Sequence, residues 1–271
     1  MNQSSCTLIV GITSGIGSAL ASHFESLKLN VVGTSRNTEI PTDNNFYIHP
    51  LDLASHDSID KFVHLFSEKY RWNRLIFCPA VMAPIGKFDS IDIHEWLSTF
   101  NINFSNQVYL LHSILSFRIG DCPHVLFFAG GGTNSAPKNY SSYTLSKIAL
   151  IKLVELLDEE IQDTSFTILG PGWVKTKIHE QSLEPSLSHL SSYQETVRRI
   201  SDSDFVGMDK VIDSVMWILA QDKKTVGGRN FSTAHDPFDS DDFASKLVSD
   251  ADVFKLRRHG NHLFQTNHIH S

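Results

Sequence analysis

The sequence is short of cysteine, of net positive charge and of long apolar runs. Its three cysteines, Cys6, Cys78 and Cys122, are odd in number and far apart, and no pair has the spacing of a zinc or thiol-redox motif. A reduced intracellular compartment is therefore expected, and with it a cytoplasmic location. Lysine and arginine total 23 against 30 aspartates and glutamates, a formal charge of -7. That balance argues against non-specific binding to nucleic acid or to an anionic membrane. The start, MNQSSC, has neither the charged beginning nor the apolar core of a secretory signal. The apolar run from Leu8 to Leu20 is broken by Gly11, Gly15 and Gly17 and is too short to span a bilayer. There is no heptad, internal repeat or low-complexity linker. The fourteen histidines, several of them near the end, show no ligand spacing, so no metal site is expected.

What remains is a 271-residue chain that is 41% hydrophobic and 20% charged, enough for one sizeable soluble domain. Thr7 to Val10 is an apolar run suited to a buried parallel strand. It leads directly into Gly11-Ile12-Thr13-Ser14-Gly15-Ile16-Gly17 and then a helical pattern with Leu20 and Phe24 on one face. Strand, glycine-rich turn and helix are the context that a dinucleotide fingerprint needs. The glycines admit a pyrophosphate close to the backbone, and the helix N-terminus offers amide donors to the anion. A second strand, Asn30 to Ser35, ends in a neutral residue followed by Arg36. A carboxylate there would bind the ribose 2′-hydroxyl of NAD, whereas a cation suits a 2′-phosphate, so NADP(H) is favoured over NAD(H).

Further strands are expected at Phe46 to His49, Arg74 to Cys78, His124 to Phe128, Phe166 to Leu169 and Asn230 to Ser232. Between them lie helices. One is capped by Ser55 and carries Ile59, Phe62, Val63 and Phe66 at helical spacing. Another runs from Asp92 through Leu115 and is interrupted by Asn101, Asn103 and Asn106, which are poor mid-helix residues. Two more surround Tyr143 to Leu157 and Val211 to Leu219. Alternating strands and helices imply a single-domain α/β fold, a doubly wound, Rossmann-like parallel sheet with helices on both faces. Ligands bind such a sheet at the C-terminal ends of its strands. Residues 1–232 would form the dinucleotide-binding and catalytic unit. The polar stretch 177–205 would be its substrate lid, and residues 233–271 a C-terminal rim or tail.

The stretch after the fifth strand carries Tyr143 and Lys147, one helical turn apart on one face. A phenol ionises near pH ~10, and a neighbouring ammonium favours its anion. Such a pair can pass a proton at neutral pH.

Taken together these motifs resemble the short-chain dehydrogenases/reductases over about residues 7 to 232. Val10 to Gly17 is similar to the family's Thr-Gly-x-x-x-Gly-x-Gly, and Tyr143 and Lys147 to its Tyr-x-x-x-Lys. Asp52 matches the acid that contacts adenine, Asn103 the mid-helix catalytic Asn, and Pro171 to Thr176 the Pro-Gly-x-x-x-Thr segment over the nicotinamide. The resemblance implies hydride transfer between a nicotinamide and a small carbonyl or alcohol. Tyr143 would pass the proton, Lys147 would tune it and bond the nicotinamide ribose, and Asn103 would hold a helix irregularity and a water. It implies dinucleotide contacts at Gly11, Thr13, Ser14, Gly15, Ile16, Gly17, Ser35 and Arg36. Further contacts are implied at Asp52, Leu53, Pro79, Ala80, Lys147, Pro171, Gly172, Val174 and Thr176. A homodimer or homotetramer, paired through the helices at Trp96 to Leu115 and Tyr143 to Leu157, is expected by the same analogy.

Three departures stand out. Val10 replaces a Thr, and Phe77-Cys78-Pro79-Ala80 replaces Asn-Asn-Ala-Gly. The position about thirteen residues before the Tyr, where the family has its catalytic Ser, is Gly130, flanked by Ala129 and Gly131. The turn resembles a subset with Ser-Gly-Gly-Gly there, with Ala129 in the Ser place. Losing a preorganised oxyanion donor costs ~10²–10³ in rate. The replacements open to this chain are the amides of Gly131 and Gly132 with the Thr133 hydroxyl, or Ser135. An alternative is a dinucleotide-binding member that has lost efficient catalysis and serves as a regulatory or partner subunit. A sugar-nucleotide epimerase fits the glycine spacing less well. Met82, Pro84, Trp173 and Val174 would give the substrate pocket an apolar wall. Arg198 and Arg199 read either as contacts for an anionic substrate or as a solvated helix face.

Overall fold

The computed structural model describes residues 5–36 and 47–260. Seven parallel strands form one sheet: β1 Ser5–Val10, β2 Val31–Ser35, β3 Tyr47–Pro50, β4 Arg71–Phe77, β5 His124–Phe128, β6 Ser165–Gly170 and β7 Asn230–Ser232. Their order is β3-β2-β1-β4-β5-β6-β7. The chain starts mid-sheet, winds outward to β3, then crosses back past β1 and builds the other half. That reversal between β1 and β4 is where a doubly wound sheet opens a crevice at its C-terminal edge.

The helices are α1 Gly15–Ser26, α2 His56–Lys69, α3 Ile93–Phe100, α4 Asn106–Ile114, α5 Ser141–Glu160, α6 Ser191–Ser201, α7 Met208–Ala220, α8 Lys223–Val226 and α9 Phe243–Ser249. Side chains on the α2, α4 and α5 side pack against one face of the sheet, around Phe66, Leu75, Phe127 and Val154. Phe77 and Phe127 stack there with centroids 4.5 Å apart. The α1, α7 and α9 side covers the other face, around Phe24, Ile76, Val215 and Phe243. Leu20 and Phe24 of α1 are fully buried. Each such side chain stabilises the helix on the sheet by about 1.5–3 kcal/mol. Ser55 caps α2 as expected, its hydroxyl accepting from the Ser58 N–H at 3.2 Å.

Strands β1, β2 and β6 differ from the expected bounds by one or two residues at an end, and the larger differences lie elsewhere. Strand β4 begins at Arg71 rather than Arg74, because Trp72 is a buried strand residue whose indole N–H donates to the Ile114 carbonyl. The third strand is described from Tyr47, and Phe46 lies outside the described residues. The polar stretch after β6 forms 3₁₀ turns at Lys177–Leu183 and Pro185–Leu187 and then α6. Within residues 233–260 there is a helix, α9, that buries Phe243 and Leu247. The final residues of the histidine-bearing tail, 261–271, lie outside the described part.

The interruption in the Asp92 helix is a turn of π-helix, Asn101–Ser105, between α3 and α4. A π turn adds one residue to the ring and appears frequently at functional sites. Asn103, fully buried, supplies the reason for it. Its Oδ1 accepts the Val81 N–H and its Nδ2 donates to the Val81 carbonyl, both at 2.8 Å. A mid-helix amide thus ties the helix to the segment after β4.

Candidate active site

The loops at the C-terminal ends of the strands enclose one large cleft of about 1700 Å³. The turn after β1 forms its first wall. Gly11 sits at φ +75°, a left-handed conformation that favours glycine. The Ser14 N–H donates to the Gly11 carbonyl, and the Ser14 hydroxyl caps α1 by accepting from the Gly17 N–H at 3.0 Å. A Cβ at Gly17 would lie 2.4 Å from the Gly11 carbonyl oxygen, so only glycine lets α1 start this close to the turn. The first residues of the helix, Gly15 and Ile16, therefore line the cleft, and a helix N-terminus placed there fits a pyrophosphate. Gly11, Thr13, Ser14, Gly15 and Ile16 line it. Gly17 lies behind them as packing.

The second wall comes from the ends of β2 and β3. Ser35 is buried, its hydroxyl 3.2 Å from that of Thr13, and Arg36 beside it is exposed to the cleft. Asp52 and Leu53 line the same wall. Asp52 is set by its Oδ1, which accepts the Ala54 N–H, and by its own N–H, which donates to Ser58. Asn106 of α4 donates to the Leu53 carbonyl, so a second asparagine of the interrupted helix braces this wall. Pro79 and Ala80, after β4, line the cleft floor. Cys78, at the family's asparagine position, is there too. Burial pushes its thiol up to about 12, so it stays a neutral packing group.

Tyr143 and Lys147 meet in the cleft. Lys147 is buried, donates to the Phe128 carbonyl at the end of β5 at 3.0 Å, and holds its ammonium 6.0 Å from the centre of the Tyr143 ring. The expectation that the ammonium lowers the phenol pKa is corrected by the structure. Burial dominates both groups, pushing Tyr143 up to about 12 and Lys147 down to about 8. The amine is drawn to a backbone carbonyl, and its charge, 6.0 Å from the ring centre, does not cancel the phenol's desolvation.

Gly130 explains the missing hydroxyl in steric terms. A Cβ there would lie 2.6 Å from the Tyr143 hydroxyl and 2.7 Å from its ring. The phenol occupies the space that a side chain at 130 would need. Ala129, Gly131, Gly132, Thr133 and Ser135 all line the cleft, with Thr133 half-buried and Ser135 exposed.

Pro171, Gly172, Val174 and Thr176 close the cleft after β6. The Thr176 methyl reaches the glycine turn, 2.6 Å from where a Gly15 Cβ would stand. Met82 and Trp173 lie on the expected apolar wall, while Pro84 is buried outside it. Trp173 stacks on His179 and Phe205, with centroids 3.9 and 5.5 Å apart. Arg198 pairs with Glu195 and Asp202 on the exposed face of α6. Arg199 pairs with Glu195 and Asp204 and lies over Trp173, so its charge is already answered within the protein. Asn103 does not reach the cleft; it acts through Val81. Gln181, which lines the cleft and bonds the segment after β4, had no sequence signal, being a lone amide in a polar stretch. Among the described residues no cluster of three metal-ligating side chains occurs, and no helix is long and apolar enough to cross a membrane.

The chain is similar to several known proteins. An uncharacterized oxidoreductase of Staphylococcus haemolyticus is 26% identical over 186 residues, covering 65% of this chain and 80% of the relative. Among solved structures, a Saccharomyces cerevisiae short chain dehydrogenase/reductase superposes with a TM-score of 0.75 at 19% identity, covering 86% of this chain and 97% of the other. A Shigella flexneri short chain dehydrogenase complexed with NADP gives 0.69 at 15% identity, covering 86% and 99%. The short chain dehydrogenase family profile matches residues 5–186, and the chain belongs to that family of oxidoreductases.

Proposed function

We propose that the chain is an NADP(H)-dependent enzyme that transfers a hydride between a nicotinamide and a small carbonyl or alcohol substrate. The observation that carries this reading is the placement of Tyr143 and Lys147 inside the cleft onto which the glycine turn opens. When bound, the dinucleotide supplies or accepts the hydride. The chain supplies everything else. The turn from Gly11 to Gly17 and the start of α1 receive the pyrophosphate. Asp52, Leu53, Pro79 and Ala80 flank the adenine half, and Pro171, Gly172, Val174 and Thr176 hold the nicotinamide half. Tyr143 is protonated at neutral pH, which is the form that donates a proton to a carbonyl oxygen. Lys147 is mostly charged there, and its ammonium lessens the cost of forming the phenolate without cancelling the effect of burial. Asn103 is a positioning residue that fixes the wall at Val81. Thr133, with the Gly131 and Gly132 amides, is the substitute we assign for the absent serine.

Arg36 carries the preference for NADP(H). Its guanidinium stands at the end of β2, next to the buried Ser35 rather than a carboxylate. Arg36→Ala is expected to raise the KM for NADPH by about 10–100-fold, the loss of one charge-assisted contact, and to leave that for NADH unchanged. Equal KM shifts for both dinucleotides would remove Arg36 from the discrimination. A pH profile tests Lys147. Its ammonium is charged below about 8 and neutral above. Reduction should therefore be level below that pH and fall about tenfold per unit above it.

A second reading is favoured by the lack of any side-chain hydroxyl from Ala129 to Gly132. In it, the chain binds the dinucleotide without efficient catalysis and acts as a partner subunit. Incubating the purified chain with NADPH and a panel of aldehydes and ketones separates the two. Binding of NADPH without oxidation by any compound would favour the second. In either reading we expect a cytoplasmic homodimer or homotetramer. Ile93 and Leu97 on α3 and Leu145 and Leu156 on α5 are apolar and exposed, which suits pairing through these helices.

A further inference from the structure

Three separate segments lining the cleft are hydrogen-bonded to one another in a ring. They are the stretch after β4 (80–86), the approach to α5 (139–140), and the first turn of the lid, Lys177–Leu183. Gln181 Oε1 accepts from two consecutive backbone groups, the Met82 N–H at 2.9 Å and the Ala83 N–H at 3.1 Å. The next lid residue, Ser182, is buried and has its hydroxyl 3.0 Å from that of Tyr140. The Gly86 N–H donates to the Asn139 carbonyl at 3.0 Å and closes the ring. Adjacent lid residues thus clip to two different walls.

The wall that Gln181 grips is itself rigid. Val81 is held on both its N–H and its carbonyl by Asn103. The Ala83 carbonyl accepts from the Thr99 hydroxyl of α3. So, Gln181 apart, the backbone from Val81 to Ala83 is bonded by two side chains, one from α3 and one from the π turn. The other holds on this first turn are local: His179 stacks on Trp173 and bonds the Val174 carbonyl, both in the stretch just before it, so they do not tie it to the wall after β4. Glu180, Glu184, Pro185 and Ser186 are exposed, and Ser182 is buried through a polar contact. Segments with few buried apolar contacts open at low free-energy cost. Of the bonds that cross from this turn, those of Gln181 reach the wall after β4.

We propose that Gln181 is the latch of the lid: it sets the closed position against the Met82–Ala83 wall and so governs how long a substrate is retained over Tyr143. This rests on the oxidoreductase reading of the cleft and adds a positioning residue to it. Closure of this kind excludes water and commits the substrate. The latch needs only an acceptor oxygen at the end of a side chain of this length.

Gln181→Leu keeps the volume and removes the acceptor, whereas Gln181→Glu keeps acceptor oxygens. Hydrogen–deuterium exchange on the full chain with NADPH reads the bonds directly. In Gln181→Leu, the Met82 and Ala83 amides and residues 177–187 should exchange faster, with the sheet unchanged. Gln181→Glu should retain slow exchange. With a carbonyl substrate from the panel, Gln181→Leu should raise KM about tenfold, the loss of roughly one net hydrogen bond, with kcat within about twofold. Unchanged exchange at Met82 and Ala83 overturns the latch. Faster exchange with an unchanged KM overturns its part in retaining substrate. A wild-type chain inactive on the whole panel removes the oxidoreductase reading instead, and the exchange data still decide the latch.

Discussion

Tyr143→Phe is expected to lower kcat for carbonyl reduction by about 10²–10⁴-fold, the usual weight of one positioned proton donor. The substitution is clean for a structural reason. No hydrogen bond from the Tyr143 hydroxyl to the described residues occurs, so its removal leaves no buried partner unpaired. The ring keeps its place against Gly130. Melting temperature should stay within a few degrees of the wild type, and NADPH affinity should be unchanged. Stopped-flow or steady-state turnover on the active compounds, with a binding titration alongside, measures both halves. Wild-type turnover by the Phe variant would sink the assignment of Tyr143 as the proton carrier.

Gly130→Ala is expected to be nearly as damaging, although it adds one methyl group and removes no functional group. The backbone at 130 is not left-handed, so alanine is tolerated by conformation. Space is the obstacle. The new Cβ would stand 2.6 Å from the Tyr143 oxygen and must drive the phenol away. A displacement of about 1 Å in a reacting group costs about 10²-fold in rate. Overpacking of this kind also costs about 1–3 kcal/mol of stability. Gly130→Ser should behave likewise: restoring the family's serine at this position would harm the enzyme. The double variant Gly130→Ala/Tyr143→Phe should be no slower than Tyr143→Phe alone, since both act on one hydroxyl. Additive losses would mean that Gly130 matters for some other reason.

Much of this architecture was legible in the sequence because its signals are local. The run from Thr7 to Gly17 carries strand, turn and helix within eleven letters. His124 to Phe128 is a bare apolar strand, observed with those bounds. The asparagines at 101, 103 and 106 flagged a break in a helix, and a π turn lies there. What was not legible depends on distant partners. Strand β4 starts with Arg71, Trp72 and Asn73, a mixed run whose one buried member needs the Ile114 carbonyl from another element. Helix α6 buries only Ser192 and Thr196, while its apolar residues Tyr193, Val197 and Ile200 are not buried, so its packed face is polar and does not read as a core stripe. Spacing placed Lys147 beside Tyr143 but could not weigh burial against charge. In the folded chain burial wins for both groups. Gln181 was silent for the same reason: its partners are about a hundred residues away.

The last described part of the chain does more than border the cleft. Strand β7 is one outer edge of the sheet. A bare edge offers a row of unpaired amides to any other strand in solution. Here the Asn230 N–H donates to the Phe254 carbonyl. The neighbouring Arg229 is buried and gives its guanidinium N–H groups to the carbonyls of Leu247, Asp250 and Val253. The buried cation makes that cover hard to shed, since an unpaired charge left inside costs several kcal/mol. The segment from α9 to Phe254 thus covers the start of an edge at which a bare strand would invite strand-to-strand association.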